Sequence, residues 1–260
     1  MPGIFYRQFG KGYPIIFIHG FCETHEIWDG LTTGLSQKFE VFSIDLPGFG
    51  DSPALASPFS INEIAQTVFE WILLQKIQKP VIVGHSLGGY VALAMAKNHS
   101  EKFAGLGLIQ STAFPDTDEK KINRNRVIEF VNTHGTDPFI DTFVPGLFFD
   151  KHHPAIPEVD RIARRTSKET LLNYTALMRD RPSSIDFIGK TNCPLLVVGG
   201  DKDSIIPTEI TFEHGRLAPL SEVFLLKDVG HMAMFENPGE TQRLIELFVG
   251  KAGRFCSERI

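Results

Sequence analysis

The sequence has little cysteine, with three residues among 260, namely Cys22, Cys193 and Cys256. An odd number at such wide spacing excludes a disulfide framework and a zinc site built from cysteine pairs. Reduced thiols are the expectation. The first ten residues also lack the apolar stretch of a signal peptide, so the sequence predicts a cytoplasmic protein.

Long hydrophobic runs and blocks of like charge are missing too. The longest uncharged run, 80–96, contains several glycines and is shorter than the roughly 20 apolar residues that cross a bilayer, so no membrane span is expected. The net charge is −5 with both signs interspersed, which argues against a nucleic-acid partner and favours a small-molecule one. Nothing in the sequence fixes the oligomeric state.

Short apolar runs alternate with stretches of helical periodicity, a pattern typical of a mostly parallel sheet covered by helices on both faces. With 42% hydrophobic residues, 260 residues suffice for one large α/β unit. We predict strands at 4–9, 14–18, 41–44, 81–83, 106–109, 195–198 and 223–226.

Residues 112–188 interrupt this alternation, because they contain helical pieces separated by glycine and proline but no good strand. We predict an α/β core from 1–111 and 189–260, with 112–188 inserted as a helical cap. Capping boxes predict helix starts at Ser60, with Glu63, and at Thr166, with Glu169.

A Gly-x-Ser-x-Gly pentapeptide at 84–88 follows a predicted strand and precedes a helix-like run. A serine on so tight a turn requires neighbours without side chains, here Gly84 and Gly88. The turn also places Ser86 at a helix N-terminus, where the helix dipole favours developing negative charge. Ser86 is therefore the predicted nucleophile.

A serine hydroxyl needs a base, and the base needs an acid that orients it. Asp203 follows the strand predicted at 195–198, and His231 follows the strand predicted at 223–226. Both belong on loops at the carboxyl edge of the sheet, where Ser86 also emerges. We predict His231 as general base and Asp203 as its acid, with Asp201 as the rival acid.

Acyl transfer also needs two backbone N–H groups that stabilise the tetrahedral oxyanion. The turn after the second predicted strand contains Phe21, whose N–H is the first expected donor. The second is the N–H of Leu87, the residue after the nucleophile.

The sequence resembles the α/β-hydrolase superfamily, in its cap-bearing, cofactor-free branch of esterases, C–C bond hydrolases and relatives. The matching motifs are His19-Gly20, the segment 45–52 (DLPGFGDS), the segment 84–89 (GHSLGG), Asp203 with Pro207 four residues later, and Gly230-His231. This resemblance implies that 45–52 is a structural turn, that no cofactor is required, and that Asp203 rather than Asp201 is the acid.

Four residues are candidates for the substrate pocket: Cys22 beside the oxyanion donor, Met232 beside the base, and Phe143 and Phe148 in the cap. Cys22 lacks the surroundings of a nucleophile. The adjacent histidines His152 and His153 have no other ligand cluster near them, so we expect a surface loop and no metal site.

The sequence thus predicts a serine hydrolase acting on a small acyl substrate, first of all a carboxylic ester. A serine as the predicted nucleophile, at position 86, disfavours the dehalogenase and epoxide-hydrolase relatives, which have aspartate at that position. Cleavage of C–C bonds, thioesters, lactones or amino-terminal amides remains open with the same triad. A receptor of this fold with slow turnover is the alternative from another class.

Overall fold

The protein is described by a computed structural model covering residues 3–257, with side chains through residue 253. Its sheet has seven strands in the order β1-β3-β2-β4-β5-β6-β7, and β1 alone runs antiparallel to its neighbour. The predicted fold class is confirmed. The strands are β1 (Tyr6–Phe9), β2 (Tyr13–Ile18), β3 (Phe39–Ile44), β4 (Val81–His85), β5 (Gly105–Ile109), β6 (Leu195–Gly200) and β7 (Ser221–Leu226).

All seven predicted strands are present, with ends that differ by up to two residues. The central strands β4, β5 and β6 are buried along their whole length, as parallel strands covered on both faces should be. The first strand begins at Tyr6 rather than Ile4 and is largely exposed, because it lies at the edge of the sheet.

The helices pack around this sheet. They are α1 (Asp29–Leu35), α2 (Ile61–Leu74), α3 (Leu87–His99), α4 (Asp118–His134), α5 (Asp137–Leu147), α6 (Ile156–Ala163), α7 (Lys168–Asp180), α8 (Ile185–Ile188), α9 (Thr208–Leu217), α10 (Ala233–Glu236) and α11 (Pro238–Ser257). None of the helices within 3–257 is long and apolar enough to cross a membrane.

The predicted capping box at the start of α2 is confirmed, since Ser60 and Glu63 satisfy each other's backbone N–H groups. The box predicted at Thr166 was wrong. The N-cap of α7 is Ser167, whose hydroxyl accepts the Thr170 N–H at 3.1 Å. Thr166 instead lies in the turn that ends α6, where its N–H bonds the Ala163 carbonyl at 3.0 Å.

Residues 112–188 form helices α4 to α8 between β5 and β6, with no strand assigned in that interval. The two ends of this insertion are tied together at its base. The Ser184 N–H donates to the Ala113 carbonyl at 2.8 Å, and the buried Arg181 pairs with the buried Asp116 at 2.8 Å. The helical segment therefore leaves and re-enters the sheet at one place. Its role as a substrate-selecting cap stays a prediction.

Candidate active site

Ser86 occupies a strained turn between β4 and α3. Its backbone angles are φ 47° and ψ −112°, a conformation that side-chain-bearing residues rarely adopt and that persists only where the surroundings enforce it. Here the Ser86 N–H donates to the Ile109 carbonyl at 3.0 Å, and the Ser111 hydroxyl donates to the Ser86 carbonyl at 2.7 Å. The neighbouring strand β5 and the chain beyond it therefore hold the serine in place.

The two glycines of the pentapeptide are needed because the backbone packs tightly around this turn. A Cβ on Gly84 would overlap the backbone of Gly88, and a Cβ on Gly88 would overlap the carbonyl of Ile18 in β2. The sequence-based reason for these glycines, close approach of strand and helix, agrees with this geometry.

Asp203 and His231 are brought together from the loops after β6 and β7. His231 Nδ1 lies 2.8 Å from Asp203 Oδ2, and both side chains are buried. The other carboxylate oxygen of Asp203 accepts the N–H groups of Ile205 and Ile206 at 2.8 and 3.0 Å. These bonds orient the carboxylate, so that Nδ1–H of His231 donates to it and Nε2 is left as a proton acceptor.

Asp201, the rival acid, faces elsewhere. One of its oxygens lies 3.1 Å from Lys202 Nζ, and the other accepts the Val229 N–H at 3.4 Å. Its side chain is partly exposed, unlike that of Asp203. The geometry therefore favours Asp203 as the partner of His231.

The backbone around His231 is held by three groups that the sequence analysis missed. The Leu147 carbonyl at the end of α5 accepts the His231 N–H at 2.7 Å, and His85 Nε2 lies 2.7 Å from the His231 carbonyl. The Glu236 carboxylate accepts the N–H groups on either side of His231, from Gly230 at 2.9 Å and Met232 at 3.1 Å. The Leu147 and His85 contacts join segments distant along the chain, so no spacing rule indicates them, whereas the Glu236 contacts are local and span only four to six residues.

The predicted oxyanion donors lie on two separate elements. Leu87 is the first residue of α3, so its N–H has no acceptor within the helix. Phe21 lies in the turn after β2, next to Cys22, which has a positive φ of 59°. Burial raises the pKa of the Cys22 thiol far above its ordinary value despite a hydrogen bond from Thr166. The thiol thus stays protonated, which argues against Cys22 as a nucleophile.

The two aromatic pocket candidates, Phe143 and Phe148, differ in their surroundings. Phe139 and Phe143 stack on each other in α5, and their ring centroids lie 6.4 and 5.8 Å from that of Phe21. These two side chains are half-buried above the turn that carries the first predicted oxyanion donor. Phe148 is instead fully buried and stacks on His153 at 5.0 Å, in the manner of a core residue. Met232 is buried beside His231.

Neither the paired histidines nor the open groove of the molecule adds to this site. His152 is exposed, and His153 stacks on Phe148. Among the side chains that the structure describes, residues 3–253, no cluster of three or more is able to bind a metal. A groove of about 1150 Å³ opens near Phe103 and Leu220, at the amino ends of the parallel strands and hence at the edge opposite Ser86.

Comparison with known proteins agrees with this fold. A family model described as alpha/beta hydrolase fold matches residues 13–238. A thermophilic esterase from Thermogutta terrifontis is 30% identical, with a TM-score of 0.89 over 96% of this chain and 93% of that one. The pimeloyl-[acyl-carrier protein] methyl ester esterase of Vibrio cholerae is 27% identical over 94% of this chain and 97% of its own length.

A longer relative is the dihydrolipoyllysine-residue acetyltransferase component of the acetoin cleaving system of Pseudomonas putida. It is 28% identical over 92% of this chain, which spans only 64% of that protein. The predicted enzyme class, an esterase-like hydrolase, is confirmed by the esterase relatives. The chain belongs to the alpha/beta hydrolase fold family.

Proposed function

We propose that this protein is a serine hydrolase that cleaves a carboxylic ester of a small acyl substrate through an acyl-enzyme. The observation that carries the proposal is the buried Asp203–His231 pair at 2.8 Å, on loops at the same sheet edge as the strained Ser86 turn. Two of the relatives described above are esterases by name, which supports an ester as the substrate.

In the proposed reaction His231 Nε2 takes the proton from the Ser86 hydroxyl as its Oγ attacks the carbonyl carbon. The N–H groups of Phe21 and Leu87 stabilise the oxyanion that forms. His231, held by Asp203, then gives its proton to the departing alkoxide. A water molecule attacks the acyl-enzyme by the same route, which releases the acid and restores Ser86.

Residues 112–188 act in this proposal as the cap that selects the acyl group. Phe139 and Phe143 carry this role because they face Phe21. Cys22, next to Phe21, and Met232, next to His231, are the other pocket residues of the proposal. Cytoplasmic location stays a prediction from the amino-terminal sequence.

The experiment is a steady-state assay of purified protein on p-nitrophenyl esters of increasing acyl length, with Ser86→Ala as the control. We expect sustained turnover with an optimum at one chain length and almost none in the variant. Turnover that stops after one equivalent would contradict an esterase and favour a receptor. Faster turnover of a matched thioester, lactone, amide or β-diketone would reassign the substrate while keeping the site.

A further inference from the structure

A second histidine, His85, lies directly behind the proposed catalytic site, next to Ser86 in the chain and fully buried. Its Nδ1 is 2.9 Å from the carboxylate of Glu23, and its Nε2 is 2.7 Å from the carbonyl oxygen of His231. Glu23 is also buried, and the same carboxylate oxygen accepts the Gly20 N–H at 2.6 Å. Glu23 and His85 therefore connect the backbone of the general base to the turn that carries Phe21.

The hydrogen-bond partners of His85 determine its charge. A neutral imidazole has one N–H donor and one acceptor nitrogen, and His19 follows that pattern. Its Nε2 accepts the Leu46 N–H at 2.9 Å, and its Nδ1 faces the Gly20 carbonyl at 2.7 Å. Both nitrogens of His85 face oxygen acceptors instead, so both must donate, and the ring is an imidazolium paired with the Glu23 carboxylate.

Electrostatics agree with this assignment. Burial alone would lower the pKa of His85, but the Glu23 charge, the hydrogen bonds to Glu23 and to the His231 carbonyl, and the more distant Asp203 charge raise it above its ordinary value. Burial alone would raise the pKa of Glu23, but the positive charge of His85 holds it lower. By contrast, burial lowers the pKa of His19 and keeps that ring neutral.

We propose that Glu23 and His85 form a buried ion pair that fixes the His231 backbone and the Phe21 turn together, which makes both of them positioning residues for acyl transfer. This inference rests on the proposed function, since its kinetic consequence requires His231 as the base and Phe21 as an oxyanion donor. Gly20, Glu23 and His85 are closely packed, because a Cβ on Gly20 would lie 2.6 Å from the Glu23 carboxylate and 2.7 Å from His85 Nδ1.

The substitution Glu23→Gln removes the negative charge of the side chain but keeps its size and shape. The glutamine oxygen can still accept from Gly20, but an uncompensated imidazolium is unfavourable in a buried site, so His85 loses a proton. A neutral ring satisfies only one of its two acceptors, and either the His231 carbonyl or the side chain at position 23 is left without its bond. The His231 backbone and the Phe21 turn are then no longer held in fixed positions relative to each other.

The first measurement is nitrogen NMR of the histidine rings in the resting wild-type protein at about pH 8, well above the reference histidine pKa of about 6.5. We expect one ring with protons on both nitrogens, assigned to His85 by its loss in His85→Gln. His19 and His214, whose pKa values burial lowers, serve as internal comparisons in the same spectrum. A wild-type spectrum with no doubly protonated ring at that pH would overturn the proposal even if no variant folds.

The second measurement is kinetic. Glu23→Gln should lower kcat on an activated ester by about 10- to 100-fold, because small displacements of reacting groups have effects of that size. KM should change little, since the pair does not contact substrate. Glu23→Asp, which keeps the charge, should restore part of the rate and the doubly protonated ring.

The control is Glu222→Gln, which makes the same change to the carboxylate of an ion pair with Lys251, in the amino-terminal half of β7 and away from Ser86. It should keep kcat close to wild type in protein that circular dichroism shows to be folded. An unchanged kcat in folded Glu23→Gln, or an equal loss in Glu222→Gln, would contradict a positioning role. If the assignment of Ser86 as the nucleophile is wrong, Ser86→Ala will turn over ester normally while the His85 ring still shows protons on both nitrogens, so the two failures can be distinguished.

Discussion

The substitution Asp203→Asn removes the negative charge that faces His231 but preserves the shape of the side chain. Its Oδ1 can still accept the N–H groups of Ile205 and Ile206, so the loop should keep its conformation. The amide NH₂ then occupies the position of Oδ2, 2.8 Å from His231 Nδ1. Two donors cannot face each other, so Nδ1 becomes the acceptor and Nε2 carries the proton.

In that tautomer Nε2 cannot take a proton from Ser86, and no anion stabilises the imidazolium that forms during the reaction. The same change in a serine protease lowers kcat by about four orders of magnitude. A loss of that size raises the activation barrier by about 5 kcal/mol. Because the Asp203 side chain is fully buried, solvent cannot compensate for the missing charge, and we expect the full effect.

The assay compares kcat of Asp203→Asn and Asp201→Asn on one activated ester, with circular dichroism as the check on folding. Asp201 lies two residues away and contacts Lys202 and the Val229 N–H, so its variant should keep most of the activity. A larger loss at Asp201, or a loss of less than about tenfold at Asp203, would refute the assignment of the acid.

Three further predictions follow from named contacts. Phe21→Pro, which removes the backbone N–H, should lower kcat by about 100- to 1000-fold in folded protein. Phe21→Ala keeps the N–H, so its kcat should fall far less. An equal loss of kcat in the two variants would place the oxyanion donor elsewhere. Phe143→Ala should change the preferred acyl length in an ester profile, whereas Phe148→Ala, which truncates a fully buried side chain, should mainly lower the melting temperature. A changed acyl preference in Phe148→Ala, with only a lower melting temperature in Phe143→Ala, would contradict the assignment of Phe143 to the pocket. Burial alone would raise the pKa of Asp116, but the Arg181 and Arg124 charges hold it below its ordinary value, so its pairing stabilises the fold above about pH 4 and is lost as the pH falls. Asp116→Asn should therefore lower the free energy of unfolding by about 3 kcal/mol at neutral pH in urea titrations, and by less at acidic pH. A difference that does not shrink as the pH falls would show that the pair does not act through charge.

The elements that could be predicted from sequence are those specified by local patterns. The strands around 81–83 and 195–198 are uninterrupted β-branched or leucine-rich runs, and Ser60 with Glu63 forms a helix start that depends on only four residues. The Ser86 turn was predictable because its pentapeptide is one short segment in which Gly84 approaches the backbone of Gly88, although Gly88 is also required by its close approach to Ile18 in β2.

Contacts between distant segments could not be predicted in this way. His85 and Glu23 are 62 residues apart, and His85 and His231 are 146 residues apart, so nothing in their spacing indicates that they meet. The helix start at Thr166 was misplaced by one residue because Thr166 and Ser167 are both good caps. The choice was made by the turn that ends α6, which holds the Thr166 backbone.

The assignment of Ser86 as the activated nucleophile can be tested with a fluorophosphonate probe followed by peptide mass spectrometry. Such a probe reacts with a serine whose proton is removed by a neighbouring base. We expect one equivalent of label on Ser86, no label in Ser86→Ala, and much slower labelling in Asp203→Asn. Stoichiometric labelling of the Ser86→Ala variant, or label on another side chain, would contradict it.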